Sequence, residues 1–418
     1  MQANSALAGL KVLEFADFIS GPYCARLLGD LGAEVIKVEE PGIGDRARRT
    51  GPFPGDIPNP ESSGLFMALN TNKLGITVDA RSQAGTEIIR QLVGWADIFI
   101  ENKDVGYLSE LDLSYDSLRV TNPRLIMTSI TPFGQTGPYR NFKGNDLIVC
   151  NMSGMGQTTP DRVSNPMEQP PLKPGGRQSD YVAGATAAVA TMFAVMAREL
   201  SGEGQYVDIS QLEAIASFMR VEIGAFIHDP EGFFQRYAVR NPIGYGPVGY
   251  IQCKDGYIAI GCREQYQWRV FMEEVLGPNW TKDKRIEVVF PDPDNWDIYV
   301  LIANWEKFKP LILEWTMKHT RAEIYQMARS KKLPIAPCNE IPDLFKSEQL
   351  KARRYFVEAN HPVCGQLTYP GAPFMLSETP WQLRRPAPLL GEHNEEVLCN
   401  RLGNSREALM NLKESGVV

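Results

Sequence analysis

The sequence predicts an α/β protein, with a doubly wound parallel sheet in a large domain and a smaller α+β domain beside it in the chain. Three observations support this fold class. A strand–helix–strand pattern fills residues 10–39, and short apolar strands alternate with helices to about residue 210. Beyond residue 220 the composition shifts toward Gly, Pro and aromatic residues. A chain of 418 residues is also too long for one ordinary core, so two domains are expected.

The first strand–helix–strand unit predicts the direction of the sheet. Residues 10–15 form an apolar strand pattern, residues 23–31 have helical periodicity and end at Gly32, and residues 35–39 form a second strand pattern. Two strands joined by one helix in this way pair in parallel. The turn at residues 17–22 lacks the GxGxxG pattern, so a dinucleotide site of the NAD type is not indicated.

The same alternation continues along the chain. Further strands are predicted at residues 76–78, 97–101, 125–130 and 206–210, with helices at 84–94 and 181–200. Beyond these, Gly, Pro and aromatic residues at 228–250 predict a linker, residues 250–260 predict a hairpin, and aromatic-rich helices follow to about residue 330. The second group of elements predicts the smaller α+β domain.

Composition excludes several classes of function. A net charge of −7 argues against nucleic acid as the main partner. The seven cysteines are scattered without a CxxC pair, and no two of the four histidines have metal-ligand spacing, so neither a disulfide framework nor a metal site is indicated. The N-terminus has no signal-peptide pattern, and the apolar helix at 181–200 ends in Arg198-Glu199 and suits a protein core. We expect a soluble, cytoplasmic protein with no membrane contact.

Asp180 stands where the helix predicted at 181–200 begins, just after Gly175-Gly176. Two interpretations are open at this point. Asp180 is either a helix N-cap, whose oxygen accepts a backbone N–H, or a carboxylate nucleophile kept ionised by the helix N-terminus, with the glycines leaving space for a substrate. From this stretch alone the N-cap is favoured.

Several segments in order along the chain together resemble one family, the class III CoA-transferases, also called the CaiB/BaiF family. They are residues 9–15 with Gly21-Pro22, residues 31–39, Asn72-Lys73, residues 96–102, Gly175-Gly176 ahead of Asp180 and residues 181–184, and residues 388–393. The resemblance covers nearly the whole chain.

The resemblance implies both a fold and a reaction. It implies a Rossmann-like large domain built from both ends of the chain, at 1–220 and 331–418, with the linker and small domain at 221–330 between them, and two chains interlocked as a dimer. It places the nucleophile at Asp180. The implied reaction moves CoA from an acyl-CoA donor to a free carboxylic acid through an aspartyl mixed anhydride and an aspartyl-CoA thioester, with coenzyme A as substrate and no permanently bound cofactor.

The resemblance also implies contacts to coenzyme A. These fall on eight residues, three of them basic: Ile19, Ser20, Val78, Arg81, Asn102, Lys103, Lys143 and Asn145. Two positions depart from the family pattern, because Glu40 and Glu110 stand where family members often carry arginine.

Two alternatives stay open beside the transferase. The related acyl-CoA racemases and epimerases carry a histidine where this chain has Asn145, so a two-base proton transfer lacks one partner here. A CoA-binding subunit of a heteromeric CoA-transferase is the second alternative, with a sister chain as its partner in place of a homodimer. The acyl group and the acceptor acid are not specified by the sequence.

Overall fold

The structure is a computed structural model, and it describes residues 5–159, 168–233, 249–287 and 304–418. The chain divides into two compact units. Unit 1 comprises Met1–Gly156, Lys173–Gly224 and Leu350–Val418, and unit 2 comprises Gln157–Leu172 and Ala225–Gln349. Both ends of the chain therefore belong to unit 1.

The described residues form eleven strands. In chain order they are β1 (Lys11–Phe15), β2 (Glu34–Glu39), β3 (Lys73–Thr77), β4 (Ile98–Glu101), β5 (Ile126–Thr131), β6 (Tyr206–Ser210), β7 (Gly249–Cys253), β8 (Gly256–Ile260), β9 (Ile335–Pro337), β10 (Phe356–His361) and β11 (Gly365–Pro370).

Helices follow most of these strands. The first nine are α1 (Ser20–Asp30), α2 (Gly64–Leu69), α3 (Gln83–Trp95), α4 (Tyr107–Glu110), α5 (Tyr115–Thr121), α6 (Asp146–Met152), α7 (Gln178–Ser201), α8 (Gln211–Ala216) and α9 (Arg220–His228). Later helices span Pro230–Phe233, Gln265–Leu276, Lys284–Glu287, Trp305–Thr316, Arg321–Ser330, Ile341–Lys346, Glu348–Ala352 and Arg406–Glu414. Short 3₁₀ turns span Arg46–Arg49, Pro54–Asp56 and Trp280–Lys282, and a π-helical turn spans Glu395–Cys399.

The sheet of unit 1 confirms the predicted doubly wound α/β class. Its six strands are all parallel, in the order β3-β2-β1-β4-β5-β6. Both faces are buried, because alternate residues of β1 enter different cores: Leu13 packs on the side of α3, and Val12 packs on the side of α1 and α7. The strand order reverses between β1 and β4, and ligands of such sheets bind beyond the carboxyl ends of the strands at that point.

Several predicted elements have different bounds in the structure, and for α1 and β3 the physical reason is clear. α1 begins at Ser20, three residues before the prediction, because proline is tolerated in the first turn of a helix and Pro22 therefore does not delay it. β3 begins at Lys73, earlier than the predicted 76–78. Because Lys73 is charged, the apolar pattern does not place it in a strand. Its side chain is nevertheless fully buried and paired with Glu14.

The return of the chain to unit 1 covers the open edge of the sheet. β3 is an edge strand, and Gly75 exchanges hydrogen bonds with His393, whose Nδ1 accepts from the Gly75 amide at 3.1 Å. Asn394 Oδ1 accepts from the Thr77 amide at 2.8 Å. The segment at residues 388–394 thus continues the hydrogen bonding of the sheet and protects its edge.

α7 is long and apolar enough to span a membrane by length and composition, and it is the one such helix among the described residues. Its buried alanines, Ala183, Ala187 and Ala194, pack in the core on one face of the sheet. At Gly184 an added Cβ would lie 2.6 Å from the Ser20 carbonyl oxygen, so α7 and the start of α1 approach closely. This packing is consistent with a soluble protein.

Unit 2 contains the predicted hairpin. β7 and β8 pair in antiparallel fashion across a turn at Lys254-Asp255, and β9 pairs with β8. Trp268, Phe271 and Phe308 are buried against these strands. Most of the linker predicted at 228–250 lies outside the described residues.

Gly75→Ala is expected to destabilise the protein by about 1 to 3 kcal/mol, because the new Cβ would lie 2.8 Å from the rigid ring of Pro388. Gly94→Ala is the matched control. Gly94 lies inside α3 with no atom within 4 Å of the added Cβ, so the same change there should stabilise by about 0.5 to 1 kcal/mol. Urea unfolding of both variants measures the difference, and equal effects would contradict the role of the 388–394 segment.

Candidate active site

Asp180 is the third residue of α7 and does not cap it. The helix begins at Gln178 with Arg177 at the N-cap position, and no side chain of that residue caps the helix. Asp146 provides the missing acceptor instead, because its Oδ1 accepts from the Ser179 amide at 2.8 Å and from the Ser179 hydroxyl at 2.9 Å. The N-cap interpretation of Asp180 is therefore wrong, and its carboxylate is available for other contacts in the first turn, where the helix dipole favours negative charge.

The Asp180 carboxyl is nearly buried, with 9% of the residue exposed. Its Oδ1 accepts a hydrogen bond from Gln211 Nε2 at 3.2 Å. Burial raises the pKa of Asp180, and the Asp146 charge adds to that shift, while Arg177, the Gln211 hydrogen bond and Arg46 oppose it. The result is a carboxylate that is poorly solvated yet surrounded by donors and cations.

Asp180 lines a cavity of about 350 Å³, which we call the acyl cavity because the resemblance implies acyl transfer at Asp180. Five of the eight residues predicted to contact coenzyme A line it too: Ile19, Ser20, Asn102, Lys103 and Asn145. Residues that the sequence analysis did not single out complete it, among them Asp17, Phe18, Arg46, Arg177 and Gln211. The cavity lies beyond the carboxyl ends of β1 and β4, where the strand order reverses.

Asn102, which follows β4, is hydrogen-bonded to the turn that follows β1. Its Oδ1 accepts from the Asp17 amide at 2.8 Å, and its Nδ2 donates to the Asp17 carbonyl at 2.7 Å and to Ser20 Oγ at 3.2 Å. Asn145 is the N-cap of α6, since its Oδ1 accepts from the Ile148 amide at 3.1 Å. The Asn145 side chain therefore has a structural role and carries no group that could act as an acid or base.

A second cavity of about 120 Å³ lies along the carboxyl ends of β1 to β4, and we call it the nucleotide cavity because two residues predicted to contact coenzyme A line it. It contains the predicted contacts Val78 and Arg81, and Arg49 in addition. Asp17 and Lys103 line both cavities. Lys103 lies over the ring of Phe15, 4.5 Å from its centroid, and burial lowers the pKa of its amine.

Three positions named in the sequence analysis, Lys143, Glu40 and Glu110, add no cation to either cavity. Lys143 lines neither cavity and pairs with Asp104 at an exposed site. Glu40 lines the nucleotide cavity, so a carboxylate stands among its cations. Glu110 ends α4 and lines neither cavity.

Asp17 and Asp45 form a carboxyl pair beneath the first strand–helix turn. Asp17 Oδ1 accepts from the Arg46 amide at 2.6 Å, and Asp45 Oδ1 accepts from the Phe18 amide at 2.8 Å. Burial, together with the neighbouring Asp45 carboxyl, raises the pKa of Asp17 to about 6. Burial acts in the same direction on Asp45, but the Lys37 ammonium together with hydrogen bonds from Asp17, Lys37 and the Ala47 amide outweighs it and holds the pKa of Asp45 below its ordinary value.

The model of CoA-transferase family III matches residues 7–394 of the chain. The chain belongs to this family. It is 34% identical over 387 residues to the succinyl-CoA:(R)-benzylsuccinate CoA-transferase subunit BbsE of Thauera aromatica, covering 90% of each chain. It is 30% identical to the succinyl-CoA:glutarate CoA-transferase of Mus musculus, covering 99% of this chain and 90% of that protein. The crystal structure of a CaiB/BaiF family protein from Brucella suis matches with a TM-score of 0.82 and 28% identity, over 95% of this chain and 99% of that one.

Membership makes this protein a CoA-transferase that takes CoA thioesters as substrates, as the resemblance implied. The sequence analysis missed Asp17, Arg46, Arg177 and Gln211. The fold brings Asp17, Arg46 and Gln211 to Asp180 from three other segments, whereas Arg177 is three residues before it in the chain. Asp17 carried a usable signal, since it follows the first strand of the predicted parallel sheet.

Asp17→Asn is expected to stabilise this CoA-transferase at pH 7.5 and to change it little at pH 4. The folded-state pKa of Asp17 is raised to about 6, so the native protein binds its proton more tightly than the unfolded chain and loses stability as pH rises from about 4 to 6. Asparagine keeps the acceptor for the Arg46 amide without the charge. The expected gain in unfolding free energy at pH 7.5 is about 1 to 3 kcal/mol.

Unfolding in urea at both pH values measures this effect. Asp104→Asn is the control, because Asp104 lines the same cavity but forms an exposed ion pair with Lys143, and such pairs contribute less than about 1 kcal/mol. A stabilisation by Asp17→Asn of equal size at pH 4 and pH 7.5 would show that the charge of Asp17 is not its cause.

Proposed function

We propose that this chain transfers CoA from an acyl-CoA donor to a free carboxylic acid by covalent catalysis at Asp180. The observation that carries the proposal is the Asp180 carboxylate itself. It is almost buried, contacts the Gln211 amide, and shares a cavity with five of the residues predicted to contact coenzyme A. Because Asp146 accepts the hydrogen bonds from Ser179 at the start of α7, the Asp180 carboxylate is not used as a cap and is available to react.

The first half of the reaction consumes the donor. An Asp180 oxygen attacks the thioester carbonyl carbon, the C–S bond breaks, and the CoA thiolate leaves, which gives a mixed anhydride between Asp180 and the acyl group. The thiolate then attacks the aspartyl carbonyl carbon and displaces the donor acid as a carboxylate. Asp180 now carries CoA as a thioester.

The second half reverses these steps with the acceptor. Its carboxylate attacks the aspartyl carbonyl carbon, displaces the CoA thiolate, and forms a new anhydride. The thiolate attacks the acceptor acyl carbon, so that the new acyl-CoA leaves and the Asp180 carboxylate is regenerated. No proton is gained or lost overall, and each step exchanges one acyl bond for another.

The surroundings of Asp180 support this chemistry. Burial raises the pKa of the carboxyl and makes it a stronger nucleophile than a hydrated carboxylate, while the first turn of α7 and Gln211 favour its ionised form. Coenzyme A is proposed to lie with its nucleotide in the nucleotide cavity beside Arg49, Arg81 and Lys103. Its thiol end then extends past Asp17 to Asp180, with Lys143 near the entry.

The named substrates of the relatives narrow the proposal. The relatives from Thauera aromatica and Mus musculus are named for succinyl-CoA as one substrate, with benzylsuccinate or glutarate as the other. We infer that succinyl-CoA is the donor here. The racemase alternative is not supported, because Asn145 caps α6 where an acid–base residue is required.

A homodimer in the cytoplasm is proposed for the assembly. α7 carries a stripe of exposed apolar residues spaced at helical intervals, Val189, Phe193, Met196 and Leu200, with between 54% and 92% of each residue exposed. A second copy of the chain would cover this stripe. All seven cysteines are free thiols, which suits a reducing compartment.

Phe193→Glu is expected to convert the proposed dimer to monomer at micromolar concentration, because a charge would enter an apolar interface. Light scattering of the purified single chain measures its mass. Tyr257→Glu is the control, since Tyr257 is about equally accessible but lies in β8 of unit 2. A wild-type chain that is monomeric and active alone would contradict the dimer, and activity only after mixing with a second chain would favour the heteromeric alternative.

Asp180→Asn is expected to lower CoA transfer by at least about 10³-fold, because an amide is a poor nucleophile of the same size and still accepts the Gln211 hydrogen bond. Transfer is measured by mass spectrometry of the new thioester. In the wild type, hydroxylamine or borohydride added after the donor should modify the peptide that contains residue 180. Asp116→Asn, at an exposed residue of α5, is the control and should retain full activity. Near-normal turnover by Asp180→Asn would overturn the proposal.

A further inference from the structure

Arg46 and Arg177 contact the same aromatic ring in the acyl cavity. The guanidinium carbon of Arg46 lies 3.9 Å from the centroid of the Phe18 ring, and that of Arg177 lies 4.7 Å from it. Both arginines line the cavity that contains Asp180. They come from segments 131 positions apart (177 − 46) and meet only because Phe18 lies between the first turn of α7 and the Arg46–Arg49 turn.

The Phe18 ring is a fixed support for these two cations. Phe18 has a left-handed backbone with φ of 71°, which is uncommon for a bulky residue and needs support from its surroundings. Asp45 supplies that support by accepting from the Phe18 amide at 2.8 Å. The ring is only 6% exposed, so the guanidiniums stack on it and direct their N–H groups elsewhere.

Neither guanidinium has an ion-pair partner within the described parts of the chain. Arg48, two residues after Arg46, shows the contrast: it is fully buried and pairs with Glu39 and Glu61. Arg46 and Arg177 are both accessible, and the charge of each opposes the rise in the pKa of Asp180 that burial causes. Two unpaired guanidiniums on one support, close to the reacting carboxylate, form a receptor for an anion.

The anion is better assigned to the acyl group than to a phosphate of coenzyme A. The nucleotide cavity has two cations of its own, Arg49 and Arg81, and shares Lys103 with the acyl cavity, whereas neither Arg46 nor Arg177 lines it. An acyl group attached at Asp180 that carries a second, free carboxylate would bring that carboxylate into the same cavity as the two guanidiniums. Carboxylates bind arginine through two parallel N–H···O bonds, which phosphate also accepts, so the experiment must separate these two sources.

We propose that Arg46 and Arg177, held on Phe18, bind the free carboxylate of a dicarboxylic acyl group and so select dicarboxylic acids over monocarboxylic acids of the same length. This inference rests on the proposed function, because it assumes acyl exchange at Asp180. The two arginines are specificity residues here, and the bonds made and broken at Asp180 are unchanged.

The half-reaction with donor alone tests the proposal without any acceptor. Enzyme is mixed with succinyl-CoA or with butyryl-CoA, which has the same four-carbon chain without the second carboxylate, and the rate of CoA attachment at residue 180 is followed by mass spectrometry. The wild type is expected to react at least about 100-fold more efficiently with succinyl-CoA. Arg46→Gln and Arg177→Gln should each reduce that efficiency by about 10- to 100-fold and leave butyryl-CoA within about twofold.

Arg49→Gln is the matched control, because Arg49 lines only the nucleotide cavity. It should weaken both donors by the same factor, since both carry the same nucleotide. Arg177→Lys should restore part of the preference, which a merely structural role would not predict. Unfolding curves of each variant exclude a loss of fold.

The outcomes separate this inference from the proposed function. Equal reaction of the wild type with both donors, or equal losses for both donors in Arg46→Gln and Arg177→Gln, would overturn the inference and assign the arginines to coenzyme A, while transfer at Asp180 would stand. No CoA attachment at residue 180 with either donor, while product forms once an acceptor acid is added, would overturn the proposed function itself.

Discussion

The buried ammonium of Lys37 is the interaction on which the geometry of the site depends. It lies beneath the first strand–helix turn with no exposure, 2.8 Å from Glu14, 2.7 Å from Asp45 and 3.0 Å from the Ala16 carbonyl. Loss of one partner would leave a charge unpaired in the core, at a cost of several kcal/mol. Asp45 is therefore fixed, and through its hydrogen bond it fixes the unusual backbone of Phe18 and the wall of the acyl cavity.

A second constraint is that Asp146, and not Asp180, accepts the hydrogen bonds at the start of α7. The exposed amides of a helix N-terminus need acceptors, and a carboxylate in the first turn would ordinarily be drawn into that role. Asp146, from α6, supplies the acceptor for Ser179, and its other oxygen pairs with Lys173 at 2.7 Å. Asp180 thus takes no part in capping and keeps its favourable place near the helix dipole, and within the described part of the chain Gln211 is the residue that donates a hydrogen bond to its carboxyl.

Local patterns predicted the parallel sheet because its strands are apolar runs between helices, as at β1, β2 and β5. They failed where a charge is neutralised by a distant residue. Lys73 can begin β3 because Glu14 pairs with it, and the residues near Lys73 in the sequence do not indicate this partner. The stretch around Asp180, taken alone, favoured a cap for the same reason, since the acceptor that replaces it, Asp146, is 34 positions earlier (180 − 146). Arg46 and Gln211 reach Asp180 only through the tertiary fold, and Arg177 meets Arg46 on Phe18 in the same way.

The location of unpaired cations explains how an acidic protein can hold an anionic substrate. The buried cations Lys37, Lys73 and Arg48 are neutralised inside the fold by Glu14, Asp45 and Glu39, so they contribute little field at the surface. The cations that line the two cavities, Arg46, Arg49, Arg81, Lys103 and Arg177, have no ion pair within the described residues. A net charge of −7 describes the surface as a whole, whereas a bound anion responds to the charges within about one Debye length, roughly 8 Å. The proposed recognition of the acyl-CoA therefore depends on a few unneutralised cations, most of them guanidiniums, whose neighbours in the core are buried ion pairs.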